Sequence, residues 1–172
     1  MRAKARLLGH PIHQMLIPFP LGLLGTSVAF DIAYLVSGNP QWGVISYWLI
    51  VAGIITGLLA AVFGLIDWLA IPSGTRAKRI GALHGIGNVV VVALFAGSWL
   101  LRSDAPGSPE GLAIGLAIAA VLLAMVTGWL GGELVDRLSV GVDEGAHLDA
   151  PSSLSGRPAT ERAPAGAPAR AR

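Results

Sequence analysis

Four apolar runs, roughly residues 15–36, 44–71, 80–101 and 111–135, constrain this chain more than anything else in it. Each supplies the twenty or so mostly apolar residues that a helix needs to cross the hydrocarbon core of a bilayer. Lipid offers backbone N–H and C=O groups no partners, so runs of this length must satisfy their own hydrogen bonds as helices. The sequence therefore predicts an all-α, polytopic integral membrane protein. An N-terminal interfacial segment (1–14) leads into a four-transmembrane-helix bundle (15–140). A tail rich in Pro, Ala and Arg follows (141–172), too poor in large apolar residues to offset the entropy of ordering. Composition agrees: 53% of residues are hydrophobic and 13% charged, against about 25% charged in a soluble domain. The absence of cysteine excludes disulfides, thiolate zinc sites and iron–sulfur ligation by this chain.

Trp42, Trp48, Trp68, Trp99 and Trp129 all fall near the ends of the runs, where amphipathic rings favour the headgroup level. Basic residues orient the bundle. Arg2, Lys4 and Arg6 precede the first run, Arg76, Lys78 and Arg79 separate the second from the third, and Arg137 follows the fourth. The other side carries only Arg102, so the positive-inside rule puts both termini in the cytoplasm. Pro18 and Pro20 argue against reading the first run as a cleavable signal. Glycines four apart (Gly53 and Gly57, Gly81 and Gly85, Gly111 and Gly115, Gly128 and Gly132) predict close helix approach.

Because the chain alternates direction, its polar residues collect at one depth. His10, His13, Asp67, His84, Asn88, Glu133 and Asp136 all reach the cytoplasmic layer, and only Asp31 lies toward the other side. Steps of three and four along the second run place Asp67 on the same face as Gly53, Gly57, Ala60 and Gly64, and His84 shares a face with Asn88. Proline is tolerated in the first turn of a helix and restricts the residue before it. The stretch GHPIHQMLIPFP therefore predicts an interfacial turn over 9–17, a first helix starting near Pro20, and His10 and His13 held near the polar layer.

The stretch GHPIHQMLIPFPLGLL, Asp31 late in the first helix, GLIDW, HGIGN and GWLGGELVDRLSVGV together resemble domain-of-unknown-function family 2231, bacterial four-helix membrane proteins, over roughly residues 9–142. The chain departs from that pattern at Asp136, where members carry an aromatic. The resemblance implies a bacterial inner-membrane, multi-pass location. Its layout is similar to small b-type cytochromes, and its association with redox proteins implies electron transfer, with a redox partner protein.

Several chemistries are open to the polar layer. A single b-type haem needs two axial imidazoles, which His84 with His13 or His10 would supply, with Asn88 orienting a ligand or a propionate. A non-haem metal would draw on His10, His13, Asp67, His84 and Glu133, the mixed nitrogen and oxygen donors that suit zinc or iron. A third reading has no cofactor: His84, Asn88 and Asp67 satisfy one another in a structural or partner-docking protein. A fourth makes Asp31 a membrane-embedded proton carrier in a small transporter. Lipid is the expected neighbour in every case, and a homo-oligomer is compatible with each. No catalytic triad, phosphate loop or zinc-protease helix is present, and the basic residues sit where topology requires them, which argues against nucleic-acid binding.

Overall fold

In a computed structural model, residues 1–162 are described. The chain opens with a two-residue strand pair, β1 (Arg6–Leu7) and β2 (His10–Pro11), antiparallel with Arg6 opposite Pro11 and Leu7 opposite His10. Leu8 (φ 50°) and Gly9 (φ 88°) both take the left-handed region, as the tightest two-residue hairpin turn requires. Five α-helices follow: α1 (Ile12–Leu16), α2 (Pro18–Ser37), α3 (Pro40–Leu69), α4 (Arg76–Leu101) and α5 (Gly111–Gly132), the last running on into a π-helical turn, Glu133–Arg137. Among the described residues, four segments are long and apolar enough to span a membrane: Ile12–Ser37, Pro40–Leu69, Arg76–Leu101 and Gly111–Arg137.

The first span starts earlier than the prolines suggested. Ile17 is helical (φ −52°, ψ −39°) and bridges α1 to α2, its N–H bonding to the His13 carbonyl at 3.1 Å. Proline's fixed φ is itself helical, so Pro18 and Pro20 each delete one backbone bond and leave a joint without ending the helix. The other boundaries follow ordinary capping. Gly38 turns left-handed (φ 67°) after α2, and Asn39 then caps α3 by accepting the Gln41 N–H at 3.0 Å. Thr75 caps α4 by accepting the Lys78 N–H at 3.1 Å.

α2 packs along α3 and α4 along α5, and contacts of α3 with α4 and α2 with α5 close the bundle. The middle is a dry layer of Leu24, Ile50, Val91, Phe95, Ala117 and Ala120, all buried. Some small residues do admit a neighbour: a Cβ at Gly53 would lie 2.5 Å from Leu24, and one at Gly81 would lie 2.7 Å from Trp68. The α5 pairs behave differently from expectation, since Gly111, Gly115, Gly128 and Gly132 have open space beside them and so do not mediate packing inside the chain.

At the end of the bundle away from the termini, one polar network joins all four spans. Arg102 is 1% exposed, and each of its five N–H donors has an acceptor. Nη1 reaches Asp31 Oδ1 (2.8 Å) and Ser46 Oγ (3.1 Å). Nη2 reaches Asp31 Oδ2 (3.2 Å) and Ser98 Oγ (2.8 Å), and Nε reaches the Ser98 carbonyl (3.2 Å). The Ser98 hydroxyl donates in turn to the Ala113 carbonyl on α5 at 2.6 Å. Asp31 is completely buried, six residues from the end of α2, which is about 9 Å along the axis.

The N-terminus meets the segment after α5 at the opposite end. The Met1 amine donates to the Ser139 carbonyl (2.8 Å) and the Gly141 N–H to the Met1 carbonyl (2.9 Å). Residues 141–162 were expected to be disordered. In this structure they run in turns, with a short 3-10 turn at Ser153–Ser155, and the Ser153 hydroxyl donates to the Leu8 carbonyl of the hairpin at 3.1 Å. The rest of the expected disorder, including Pro164, Pro168, Arg170 and Arg172, lies outside the described residues.

Asp31→Ala is expected to cost about 3–5 kcal/mol, because it leaves a buried guanidinium without its counter-ion, and adding Arg102→Leu to it is expected to recover most of that loss. A double-mutant cycle of unfolding in detergent micelles measures both.

Candidate functional site

The terminal end of the bundle brings together two of the expected ligands. His13 on α1 and His84 on α4 face each other with ring centres 6.3 Å apart and planes at 89°. Each ring is tied to a neighbouring helix by the same device. His13 Nδ1 lies 2.8 Å from the Ala60 carbonyl on α3, and His84 Nδ1 lies 2.8 Å from the Thr127 carbonyl on α5. A carbonyl only accepts, so in each neutral imidazole Nδ1 carries the proton and Nε2 keeps a lone pair.

Both carbonyls already belong to a helix, and what exposes them is the residue four positions on. A helical side chain leans back over the preceding turn and covers the carbonyl there. The residue four past Ala60 is Gly64, and the residue four past Thr127 is Gly131. A Cβ at Gly64 would lie 2.9 Å from the His13 ring, and one at Gly131 would lie 3.2 Å from the His84 ring. These two glycines are imidazole seats. Neither carbonyl–glycine pair stands out in the sequence, because small residues four apart are common in membrane helices.

Asn88 and Thr127 complete the surroundings of His84. The Asn88 amide nitrogen donates to the His84 carbonyl at 2.8 Å and lies 3.4 Å from Nε2, while the Thr127 hydroxyl sits 3.1 Å from Asn88 Oδ1. Thr127 is buried, and the residue types gave no hint of its part.

The remaining expected ligands are engaged elsewhere. Asp67 Oδ1 accepts the backbone N–H groups of Lys4 (2.7 Å) and Ala5 (3.0 Å), and so fastens the N-terminal segment to the end of α3. Glu133 pairs with Arg76 at 2.6 Å. His10 is exposed, with Nε2 3.4 Å from the Ser153 hydroxyl. Asp136 is exposed on the π-helical turn. Asp31 lies at the far end, bound to Arg102. Among the described residues, no three His, Asp or Glu side chains come together as a metal-binding group. The five-residue ligand set thus divides into one imidazole pair and three separate tethers.

A strap closes this end of the bundle. Arg6 forks onto Asp143, with Nη1 to Oδ1 at 2.6 Å and Nη2 to Oδ2 at 3.1 Å, and its Nη2 also donates to the Gly9 carbonyl; Arg2 Nε adds a contact to Asp143 at 2.9 Å. The Arg6 hydrogen bond holds the Asp143 carboxyl down to about 2, against the opposing effect of partial burial and with help from Arg2. The strap is therefore fully ionised at any pH above the ordinary carboxylate range, and it weakens only as pH falls toward 2.

Two shallow hollows lie on the described part of the chain. One, of about 370 Å³, is lined by His147, Leu148, Asp149 and Arg162, and the other, of about 200 Å³, by Trp129, Gly132, Glu133, Asp136 and Arg137. Neither borders His13 or His84.

Among comparisons with known proteins, the family described as "Predicted membrane protein (DUF2231)" matches residues 9–144. No curated protein and no solved structure matches the chain.

Gly64→Ala is expected to push the His13 ring off the Ala60 carbonyl and to cost about 1–3 kcal/mol. Gly131→Ala should cost less, since the His84 ring has 3.2 Å to adjust. Gly115→Ala, which meets open space, should stabilise the helix by up to about 1 kcal/mol. Unfolding in micelles ranks the three, and an equal response at all three positions would refute the seat geometry.

Proposed function

Because the chain belongs to the DUF2231 family of predicted membrane proteins over most of its length, we propose a role for it as a multi-pass protein of the bacterial inner membrane that holds one metal centre between His13 and His84, near the cytoplasmic face. The imidazole pair carries this reading. Two metal–nitrogen bonds of about 2.0–2.1 Å set end to end between imidazoles put the ring centres about 6 Å apart, and these ring centres stand 6.3 Å apart. Metal-ligating histidines are commonly oriented by an Nδ1–H bond to a backbone carbonyl, which both rings possess.

In this reading His13 and His84 each contribute an Nε2 lone pair. Thr127 and Asn88 fix the His84 ring, and the apolar layer beyond them keeps water from the far side. A transition ion bound there would supply one-electron transfer or Lewis acidity.

Proton transport through Asp31 is the weaker alternative. Its carboxylate is occupied by Arg102, and the polar layers are separated by Leu24, Ile50, Val91 and Phe95. Along α4, from Asn88 to Ser98, that dry interval is about 15 Å.

Orientation rests on charge. Arg2, Lys4, Arg6, Arg76, Lys78, Arg79 and Arg137 surround the terminal end, while Arg102, the basic residue of the far end, is neutralised by Asp31.

Protein purified from metal-replete cells is expected to carry stoichiometric metal, retained in His10→Ala and lost in both His13→Ala and His84→Ala. Elemental analysis with circular dichroism as a folding control measures this. Equal metal in wild type and His84→Ala would overturn the proposal, and a Soret band would reassign the pair to haem. The chain lacks cysteine, so single-cysteine variants report orientation cleanly. An impermeant maleimide should label Ser108→Cys in intact spheroplasts and Ser152→Cys only after lysis, and the reverse pattern would invert the topology.

A further inference from the structure

We propose that the hollow at the end of α5 binds the headgroup of an ethanolamine phospholipid, a zwitterion of primary ammonium and phosphate. Trp129, Gly132, Glu133, Asp136 and Arg137 line this hollow of about 200 Å³. Trp129 and Glu133 are four apart on one face of α5, and the wider π-helical turn Glu133–Arg137 carries Asp136 and Arg137 to the same hollow. Trp129 is 66% exposed at the end of a span, the level at which tryptophan rings meet headgroups.

The charges decide which headgroup fits. Glu133 is already paired with Arg76. Asp136 and Arg137 are exposed and form no ion pair among the described residues, so the hollow presents one uncommitted anion beside one uncommitted cation. A zwitterion complements both. Its ammonium meets the Asp136 carboxylate and the face of Trp129, and its phosphate meets the Arg137 guanidinium. A glycerol headgroup brings no cation for Asp136. A choline headgroup brings a cation with no N–H to donate. Leu122 and Val126, both exposed and on the Trp129 face of the same helix, continue the site into the apolar region where acyl chains lie. The site is independent of the imidazole pair and of any metal held there.

The test uses full-length protein reconstituted in nanodiscs with equal amounts of ethanolamine, choline and glycerol phospholipids, released into the gas phase for native mass spectrometry. Wild type is expected to retain the ethanolamine lipid about three- to fivefold over the choline lipid. Asp136→Asn is expected to erase that preference, and Arg137→Gln to lower retention of all three lipids, with unfolding midpoints unchanged in both. Equal retention of the three lipids by wild type, a preference for the glycerol lipid, or an ethanolamine preference that survives Asp136→Asn would overturn the proposal.

Discussion

The buried pair of Asp31 and Arg102 is the constraint on which the rest of the bundle depends. Between helices in lipid there is little hydrophobic drive, because a leucine gains nothing by exchanging an acyl chain for another leucine. Shape and polar contact must specify which helix lies beside which. Here a single guanidinium does much of that work. Its five donors take acceptors from α2, α3 and its own helix, and Ser98 passes the connection to α5. A buried ion pair is a poor source of net stability, since desolvation offsets most of the Coulomb gain. What it supplies is register: sliding any one span strands a charge or a donor in a medium without water, so competing arrangements cost more than this one.

That arrangement separates the molecule into two polar layers with a dry one between. In the far layer all five Arg102 donors and both Asp31 oxygens are engaged, while among the described residues the buried side-chain polar atoms lacking partners are Trp99 Nε1, beside Ser98 on α4, and His147 Nε2. Every polar group of the Asp31–Arg102 pair is thus already engaged within the bundle. At the terminal end the imidazoles each spend one nitrogen on a carbonyl and keep the other, and that residual capacity distinguishes a site from a scaffold. The strap of β1, β2 and residues 139–143 lies over the same end, so the N-terminal segment and the chain after α5 together cover the side that holds the imidazole pair.

The spans, their number and the depth of each polar residue were legible in the sequence, because hydropathy and alternating direction fix depth. Azimuth and partner choice were not. Asp31 stood out as an acid in an apolar run, but Arg102, 71 residues on, read as an ordinary loop charge; the pairing depends on α2 and α4 facing each other across the bundle, which no local pattern encodes. Asp67, His10 and Glu133 share the depth of His13 and His84 and were grouped with them, yet nearer partners capture each. Asp67 is taken by the N–H groups of Lys4 and Ala5, donors that every residue carries and no letter announces. The tail's contacts were hidden for a related reason: its composition is poor in core-forming residues, but Asp143 and Ser153 touch the hairpin through polar contacts that a hydrophobic count does not register.

The glycines show why side-chain letters alone mislead at such a site. Gly53, Gly64, Gly81, Gly115 and Gly131 look alike as small residues in apolar helices, but their surroundings differ. Gly53 and Gly81 admit Leu24 and Trp68, ordinary close packing, and Gly115 admits nothing. Gly64 and Gly131 instead uncover a carbonyl that their own side chains would have shielded, each at the same four-residue offset and each for an imidazole from another helix. A helix carbonyl has a second lone pair that is normally covered, and removing one Cβ turns it into a directional acceptor. Two such acceptors, on α3 and α5, hold two histidine rings with their centres 6.3 Å apart. A single instance would be ordinary packing; the repetition on independent helices argues that the orientation of the rings, and not just their burial, is what the fold maintains.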